Sequence, residues 1–320
     1  MKCGFCWRHC DIPEGRNGYC QVRRNEGGTI RSLQYGQLVA LAVDPIEKKP
    51  LYHFLPGTLS LSVAEAGCNY RCRFCQNYTI SQPGCDVPSR YYPPEVVVEV
   101  ARRQHVRSIS YTYSEPSVWQ DYMVDVATLA RESGIRNVMV TNGSFSRESW
   151  DRIFPVVDAL NIDVKGDALF YADICKGSLW PVLDSVEEAV RRKRHLEVTT
   201  LLIEGIHTRR MVEELGKLLC DRGVQVWHLS RFFPRYQMSD RTATSESFLE
   251  KMLEVAGMSG IPYIYGGNSS HVDATCCPSC HTVLIHDHRY GGSQRQEASR
   301  TITHGRCAAC GFPVYGCFDD

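Results

Sequence analysis

The stretch Cys68-Asn69-Tyr70-Arg71-Cys72-Arg73-Phe74-Cys75 decides the fold. It directly follows Leu59 to Ala66, a short apolar run typical of a buried strand, so three thiolates share one loop at the strand's carboxyl end. Three cysteines ligate three irons of a four-iron cluster and leave the fourth open, whereas an electron-transfer cluster normally has thiolate on all four. The spacing, the aromatic Phe74 and the position after a strand favour this open cluster over a zinc knuckle or inert buried thiols.

Outward from this loop, strand-like and helix-like segments alternate from about Thr58 to Gly266, which is typical of parallel strands joined by crossover helices. Arg209 to Arg222 is predicted to be an amphipathic helix, and Ser185 with Glu188 to be the capping box that begins another. Six such units form a partial (β/α)6 barrel, an α/β fold whose ligand site lies at the carboxyl ends of the strands. The predicted strands are Leu59 to Ala66, Ser108 to Tyr113, Asn137 to Thr141, Leu160 to Val164, Val198 to Ile203 and Val224 to Phe232, with Tyr263 to Tyr265 as a candidate seventh.

The charge balance and the amino terminus exclude several classes of partner. Lys and Arg together number 36, and so do Asp and Glu, so no overall field attracts nucleic acid or an anionic membrane. The amino terminus lacks the apolar core of a signal peptide, and no stretch is apolar for long enough to span a bilayer. We therefore expect a cytoplasmic protein with neither a membrane partner nor a nucleic-acid partner.

The 16 cysteines indicate metal ligation, because a cytoplasmic compartment keeps thiols reduced. Residues 1–56 form a predicted cysteine-rich segment, residues 57–267 the partial barrel and residues 268–320 a small ribbon-like module. In the last of these, two CxxC pairs predict a structural zinc on Cys277, Cys280, Cys307 and Cys310. The first segment offers Cys3, Cys6, Cys10 and Cys20, whose irregular spacing suits zinc and an auxiliary iron–sulfur cluster equally. The histidines of the last module are expected to be solvated loop residues: His281, His286, His288 and His304.

The CxxxCxxC loop with its aromatic residue resembles the radical S-adenosylmethionine (SAM) superfamily, and its surroundings resemble the pyruvate formate-lyase activating enzymes. Over almost its whole length the chain is similar to the AmmeMemoRadiSam system radical SAM enzymes, in Cys3 to Cys20, Asp44 to Pro50, Phe54 to Gly57, Gly67 to Gln82, Tyr111 to Pro116, Thr141 to Gly143, Asp163 to Lys165, Trp227 to Tyr236 and the terminal cysteine pairs. The resemblance implies a [4Fe-4S] cluster on Cys68, Cys72 and Cys75 that cleaves SAM to a 5′-deoxyadenosyl radical. It also implies companion proteins of the Amme and Memo types, and such an enzyme needs an electron donor such as flavodoxin or ferredoxin.

The resemblance also assigns residues at the rim of the barrel. Glu115 corresponds to the carboxylate that meets the SAM ammonium, and Tyr113 and Ser114 stand where activating enzymes carry two glycines. Lys165 would pair with the SAM carboxylate. Thr141 and Asp163 would help to bind a monovalent cation, although the related activases have Asp where Val140 stands here. The predicted SAM contacts are therefore Ser114, Glu115, Thr141, Asn142, Asp163 and Lys165.

The sequence indicates less about which residues contact the substrate. Cys175, His228 and Arg231 are candidates, although a lone Cys is usually a small buried hydrophobe and a strand His is usually a satisfied core residue. Three functions remain open: a radical SAM enzyme acting on a small molecule or partner protein, a glycyl-radical enzyme activase, and a non-catalytic metal-binding protein.

Overall fold

The computed structural model describes residues 1–270, 274–288 and 294–318. Residues 271–273, 289–293 and 319–320 of the predicted terminal module lie outside the described residues. The strands are β1 (Arg23–Glu26), β2 (Thr29–Ser32), β3 (Gln37–Pro45), β4 (Leu59–Glu65), β5 (Arg90–Tyr91), β6 (Ser108–Tyr111), β7 (Arg136–Thr141), β8 (Ala159–Asp163), β9 (His195–Leu202), β10 (Val226–Arg231), β11 (Tyr263–Gly267), β12 (Thr275–Cys276), β13 (Val283–Ile285), β14 (Ile302–Thr303) and β15 (Arg306–Cys307).

Helices connect most of the strands. They are α1 (Tyr78–Ser81), α2 (Pro94–Arg103), α3 (Gln120–Glu132), α4 (Arg147–Ile153), α5 (Ala168–Phe170), α6 (Trp180–Arg191), α7 (Arg209–Cys220), α8 (Glu246–Gly257) and α9 (Gln294–Thr301). Short 3-10 turns cover Ile46–Lys48, Pro116–Trp119 and Tyr236–Met238, and a π-helical turn covers Tyr171–Cys175. Across the described ranges, no helix has the length and apolar character needed to cross a membrane.

The central sheet carries the fold. Its strand order among the described residues is β11-β10-β9-β8-β7-β6-β4-β3-β5. All neighbouring pairs from β11 to β4 in this order are parallel. At least one helix lies in the chain between the two strands of each of these pairs. This confirms the predicted parallel α/β sheet, including its seventh strand. The carboxyl ends of these strands meet at one edge, where a ligand site is expected.

Two antiparallel strands, β3 and β5, extend the central sheet beyond β4. Strand β3 pairs antiparallel with β4 on one side and with β5 on the other. Residues 37–45 therefore belong to the central sheet, although the predicted cysteine-rich segment runs to residue 56. The division into three parts remains a prediction.

Side-chain caps define where several helices begin. Ser146, Thr208 and Ser245 precede α4, α7 and α8, and each accepts a hydrogen bond from a backbone N–H in the first turn. The prediction that Ser185 begins a helix was wrong. Helix α6 already begins at Trp180, and the Ser185 hydroxyl donates to the Pro181 carbonyl at 3.0 Å. Glu188 instead binds the guanidinium groups that follow it, those of Arg191 and Arg192.

The terminal module packs against the rest of the protein through a second apolar core. Tyr263 and Tyr265 of β11 share this core with module residues such as Leu284 and Ile302. The prediction that His288 is solvated was wrong, because its side chain is buried. Its Nε2 lies at hydrogen-bond distance, 2.7 Å, from the Thr275 hydroxyl, and its ring stacks on that of Tyr52 with the ring centroids 4.2 Å apart. His281, His286 and His304 are exposed.

Candidate active site

The three-cysteine loop leaves strand β4 through a turn that requires glycine. Gly67 has φ +99°, and a Cβ there would lie 2.7 Å from Val22 Cγ1. The Gly67 N–H donates to the Ile80 carbonyl at 3.0 Å, and its carbonyl accepts from the Glu115 N–H at 3.1 Å. Farther along the loop, Arg71 N donates to the Cys175 carbonyl at 2.9 Å. These bonds hold both ends of the loop at the carboxyl edge of the sheet.

Polar groups surround the three thiols. Tyr70 N lies 3.4 Å and the Asn142 amide nitrogen 3.7 Å from Cys68 Sγ, and Ser81 Oγ lies 3.3 Å from Cys75 Sγ. Burial raises the pKa of the Cys68 thiol well above its ordinary value. A bound metal is what makes such buried thiols ionise, because the thiolate is the metal ligand.

A cavity of about 350 Å³ opens beside these thiols. All six residues predicted to contact SAM line it, together with the three cysteines of the loop. They come from the ends of successive parallel strands, which is how the fold brings together residues that are far apart in the sequence.

Glu115 joins the ends of two strands. The side chain is 2% exposed, and its Oε1 accepts hydrogen bonds from Ser117 N at 3.0 Å and from the Thr141 hydroxyl at 2.7 Å. Its Oε2 accepts from Asn142 N at 2.8 Å. Burial raises the pKa of Glu115, and these donors oppose the rise. A carboxylate has about four acceptor positions, so one of them, at Oε2, is left for a further donor.

Asp163 and Lys165, at the end of β8, line the same cavity and form an ion pair at 2.6 Å. Burial disfavours the charged lysine, but the Asp163 carboxylate outweighs it and raises the pKa of Lys165. The lysine backbone is held by the Tyr171 hydroxyl at 3.0 Å and by His207 Nε2 at 2.9 Å. The Thr141 hydroxyl binds Glu115 and Asp163 binds Lys165, so the two residues predicted to share a cation have different partners here.

The three substrate-side candidates lie outside the residues that line the cavity. Cys175 is fully buried behind the loop, where its hydrogen bond with Cys72, together with burial, raises the pKa of the Cys72 thiol. His228 is buried deeper between the strands and bonds Glu197 at 2.7 Å. Arg231 pairs with Glu246 at 2.5 Å. Their roles toward a substrate remain predictions.

Glu197 was missed by the sequence reasoning. Fully buried on β9, it accepts hydrogen bonds from Tyr52 N, His53 N, His195 Nε2 and His228 Nε2 at 2.7 to 3.0 Å. Burial opposes its ionisation, but the two histidine donors outweigh that and hold its pKa well below the usual range. The carboxylate therefore joins residues 52–53 to two neighbouring strands.

A charged pair that holds a residue of the cavity wall was also missed. Tyr113 lines the cavity with a left-handed backbone, φ +65°, at a position where the related activating enzymes carry glycine. Its hydroxyl donates to Asp44 at 2.5 Å, and Lys49 reaches the same carboxylate at 2.9 Å. The sequence feature that could have indicated this charged pair is the run from Asp44 to Pro50, which was interpreted as too polar to pack against a core.

The two terminal cysteine groups differ in geometry. The ligand atoms of Cys277, Cys280, Cys307 and Cys310 all lie within 4.8 Å of one another, which suits a single metal ion. Near the amino terminus, the four cysteines line one small enclosed space. Both groups thus come together as their sequence spacing predicted.

Taken together, these features define a partial α/β barrel with a three-cysteine loop at the carboxyl edge of its parallel sheet. Residues 65–244 match the family model described as the radical SAM superfamily. The chain belongs to this superfamily, whose members use a [4Fe-4S] cluster and SAM.

Several curated proteins are similar to the chain. The "Uncharacterized protein MJ0808" of Methanocaldococcus jannaschii is 39% identical over 328 residues, covering 98% of this chain and 95% of that protein. The 7-carboxy-7-deazaguanine synthase of Methanothermobacter thermautotrophicus is 27% identical over 157 residues, covering 48% of this chain and 60% of the synthase.

Among solved structures, Streptococcus suis SuiB has a TM-score of 0.54 at 11% identity, over 71% of this chain and 52% of SuiB. This chain thus spans about half of SuiB, and the likeness shows the fold alone. SuiB has also been solved with SAM and with its precursor peptide SuiA.

Proposed function

We propose that this protein holds a [4Fe-4S] cluster on Cys68, Cys72 and Cys75 and reductively cleaves SAM to remove a hydrogen atom from a substrate. The observation that carries the proposal is the cavity beside the loop. Those three cysteines line it, and among the described residues no fourth cysteine does. A cluster there would keep one iron open toward the cavity. When bound, the cluster supplies one electron that breaks a carbon–sulfur bond of SAM and releases the 5′-deoxyadenosyl radical.

The residues around the loop fit such a group. The backbone N–H of Tyr70, the Asn142 amide and the Ser81 hydroxyl lie 3.3 to 3.7 Å from the sulfurs of Cys68 and Cys75. Hydrogen bonds to cysteine sulfur stabilise the thiolate form and tune a cluster's potential. The side facing the cavity carries the groups we assign to SAM.

We assign the two charged groups of the SAM methionine to two different strand ends that line the cavity. The free acceptor position of Glu115 suits the ammonium, because a buried carboxylate and a cation form a charge-assisted hydrogen bond. Lys165 suits the carboxylate, and its backbone contacts with Tyr171 and His207 hold it in place. Asp163 keeps this lysine charged until the ligand arrives.

For the terminal module we propose one structural zinc on Cys277, Cys280, Cys307 and Cys310. Sγ atoms of the tetrahedral site are expected about 4 Å apart for Zn–S bonds of about 2.3 Å. The observed pairs Cys277–Cys310 and Cys280–Cys307 are 3.6 and 3.7 Å apart, which supports zinc. Four thiolates leave no open position, so this metal has no catalytic role.

The experiment that tests the proposal is SAM cleavage by the reduced, reconstituted full chain. The wild-type protein should release 5′-deoxyadenosine, measured by chromatography, and Cys72→Ala should release none. Cys220→Ala is the matched control, because this half-buried cysteine lies at the end of α7 and should leave the yield unchanged. A Cys72→Ala protein that still formed 5′-deoxyadenosine would refute the assignment.

The electron donor is inferred from the radical SAM chemistry, and the companion proteins from the resemblance to the AmmeMemoRadiSam system enzymes. We infer that a flavodoxin or ferredoxin supplies the electron and that Amme-type and Memo-type proteins act with this one. The substrate is then a small molecule or a partner protein, and deuterium transfer from candidate substrates into 5′-deoxyadenosine would identify it. A glycyl radical formed on a co-encoded enzyme, detected by electron paramagnetic resonance, would instead identify an activase.

A further inference from the structure

A second cavity, of about 470 Å³, lies at the amino ends of the parallel strands. Arg136 and His195 begin β7 and β9, Asp158 directly precedes β8, and all three residues line the cavity. The three-cysteine loop follows the carboxyl end of β4, at the opposite edge of the sheet. A strand of typical length spans roughly 17–20 Å, so the two cavities are about that far apart. The SAM site therefore does not explain this second cavity.

Two residues of a basic run line the cavity. The run is Arg191-Arg192-Lys193-Arg194, at the end of α6. Arg191 and Arg192 are paired within the protein, because both bind the Glu188 carboxylate, at 2.6 and 2.5 Å. Lys193 has a left-handed backbone, φ +55°, of the kind that ends many helices. Lys193 and Arg194 both line the cavity, and among the described residues neither side chain has a hydrogen bond or an ion pair.

The cavity has an excess of positive charge. Among its described lining residues Asp158 is the only acidic one, against three cationic ones. That carboxylate is already bonded, to Arg136 at 3.2 Å and to Asn137 N at 2.8 Å. It therefore leaves Lys193 and Arg194 without a counter-charge. Arg194 is half-buried, and its Nε is shielded from solvent without a hydrogen-bond partner in the described part of the chain. A local excess of this kind attracts anions although the whole chain is balanced in charge.

The remaining wall of the cavity is largely apolar. Phe54, Val190 and Val224 line it. Tyr315 of the terminal module adds an aromatic ring, and its hydroxyl bonds the Leu196 N–H at 2.7 Å and the Leu196 carbonyl at 3.1 Å, so the module is fixed against β9. Pockets for small organic ligands combine a mostly apolar wall with a few charged groups and have volumes of roughly 300–1,000 Å³.

We propose that this cavity binds a small organic phosphate, with the phosphate group on Lys193 and Arg194 and the organic part against the apolar wall. Lysine and arginine are the usual phosphate ligands in proteins, and arginine binds phosphate through two parallel hydrogen bonds. The apolar wall favours an organic phosphate over the free ion. The concave shape favours a small molecule over nucleic acid, which binds along an extended basic stripe. The inference does not depend on the proposed function, because no residue lines both cavities.

The test measures binding of uridine 5′-monophosphate to the full chain by equilibrium dialysis, with the loop cluster loaded and SAM present in excess. Wild type should bind this probe with a dissociation constant of about 1 mM or tighter, because two cations contact the phosphate. Uridine has the same organic part without the phosphate and should bind at least about 10-fold more weakly. Inorganic phosphate should also bind at least about 10-fold more weakly, because it leaves the apolar wall uncovered.

Two double variants locate the bound phosphate. Lys193→Gln/Arg194→Gln should weaken binding of the monophosphate at least about 10-fold. Arg209→Gln/Arg210→Gln is the matched control, because it changes the net charge equally on α7, where both arginines pair with glutamates of the same helix, and it should leave binding unchanged. Neither Lys193 nor Arg194 has a side-chain bond to lose among the described residues, so the midpoint of urea unfolding should equal that of wild type. The comparison of uridine with its monophosphate needs no variant.

Several outcomes would overturn the proposal. They include no binding of the monophosphate at concentrations up to about 10 mM, equal binding of uridine or of inorganic phosphate, and equal binding by the two double variants. Oligouridine bound through Lys193 and Arg194, without binding of the mononucleotide, would identify a nucleic-acid site. The chain ends in Asp319 and Asp320, just after Cys317, which lines the cavity. Monophosphate binding that required deletion of residues 319–320 would identify this acidic end as the occupant.

Discussion

Replacing Glu115 by Gln tests how the site recognises SAM. Two donors, Ser117 N and the Thr141 hydroxyl, converge on Oε1, so the amide oxygen of the variant should occupy that position. The amide nitrogen then lies at the Oε2 position and faces the Asn142 N–H, a donor against a donor. The SAM ammonium, also a donor, would lose its acceptor at the same place.

The expected losses follow from these contacts. A hydrogen bond to a charged group contributes about 1.5–3 kcal/mol, so SAM affinity should fall roughly 10- to 150-fold. The unpaired Asn142 N–H should also lower the free energy of unfolding by about 1–3 kcal/mol. Calorimetric titration of SAM into cluster-loaded protein gives the first quantity, and urea unfolding gives the second.

A matched variant separates charge from geometry. Thr141→Val removes one hydrogen bond to Glu115 but keeps the carboxylate, so SAM affinity should change by less than about threefold. Glu99→Gln, at a solvent-exposed helix position, should change neither quantity. If Glu115→Gln bound SAM within about threefold of wild type with its cluster intact, the glutamate would only tie the two strand ends together.

Three other perturbations have defined outcomes. Glu197→Gln places an amide nitrogen against two of the four buried donors and should lower the free energy of unfolding by about 3 kcal/mol in urea titrations, whereas exposed Glu213→Gln should change it by less than about 0.5 kcal/mol. Equal midpoints for the two would mean that the buried carboxylate adds no stability. Lys165→Met should weaken SAM binding roughly tenfold, measured by equilibrium dialysis, and unchanged binding would limit the lysine to pairing its neighbouring carboxylate. Cys280→Ser should release the proposed zinc, since a structural zinc supplies on the order of 10 kcal/mol of folding free energy, while Cys276→Ser should retain it by metal analysis. Iron and sulfide in place of zinc would contradict the structural role.

Local patterns were enough to predict the elements of the barrel. Each parallel strand is a short run of mostly buried residues, so its apolar sequence was visible without knowledge of its partners. The alternation of strands and helices then set the topology, because crossovers between neighbouring parallel strands follow one hand. Ser185 shows the limit of this reasoning. A serine three residues before a glutamate resembles a cap, but Val182 and Leu183 are buried in the same helix, and their burial extends it toward Trp180.

Long-range polar contacts could not be predicted in the same way. Glu197 is surrounded by strand residues of high apolar content, and its donors come from positions 52–53, 195 and 228. Nothing near it in the sequence indicates that so many donors converge there. A buried carboxylate is stable only where several hydrogen-bond donors contact it. Here those donors come from segments that are distant in the sequence, so their arrangement depends on how the segments pack. His288 was misjudged for the same reason, since its burial depends on docking against Tyr52.

The cysteine groups show how sequence and fold divide the information about a metal site. Spacing along the chain determines which thiols can meet, and it predicted all three groups. Spacing does not determine how far apart their sulfurs lie, and that distance decides whether one ion or a four-iron core fits between them. In the terminal module two tight turns bring each CxxC pair to one point, with His281 N donating to the Cys277 carbonyl and Gly311 N to the Cys307 carbonyl. The amino-terminal thiols instead line one small space together with Arg23, and no three of their sulfurs lie within 4.8 Å of one another among the described residues. Two groups that are similar in number and residue type can thus differ in the separation of their sulfurs, because local turns set that separation and sequence spacing alone does not.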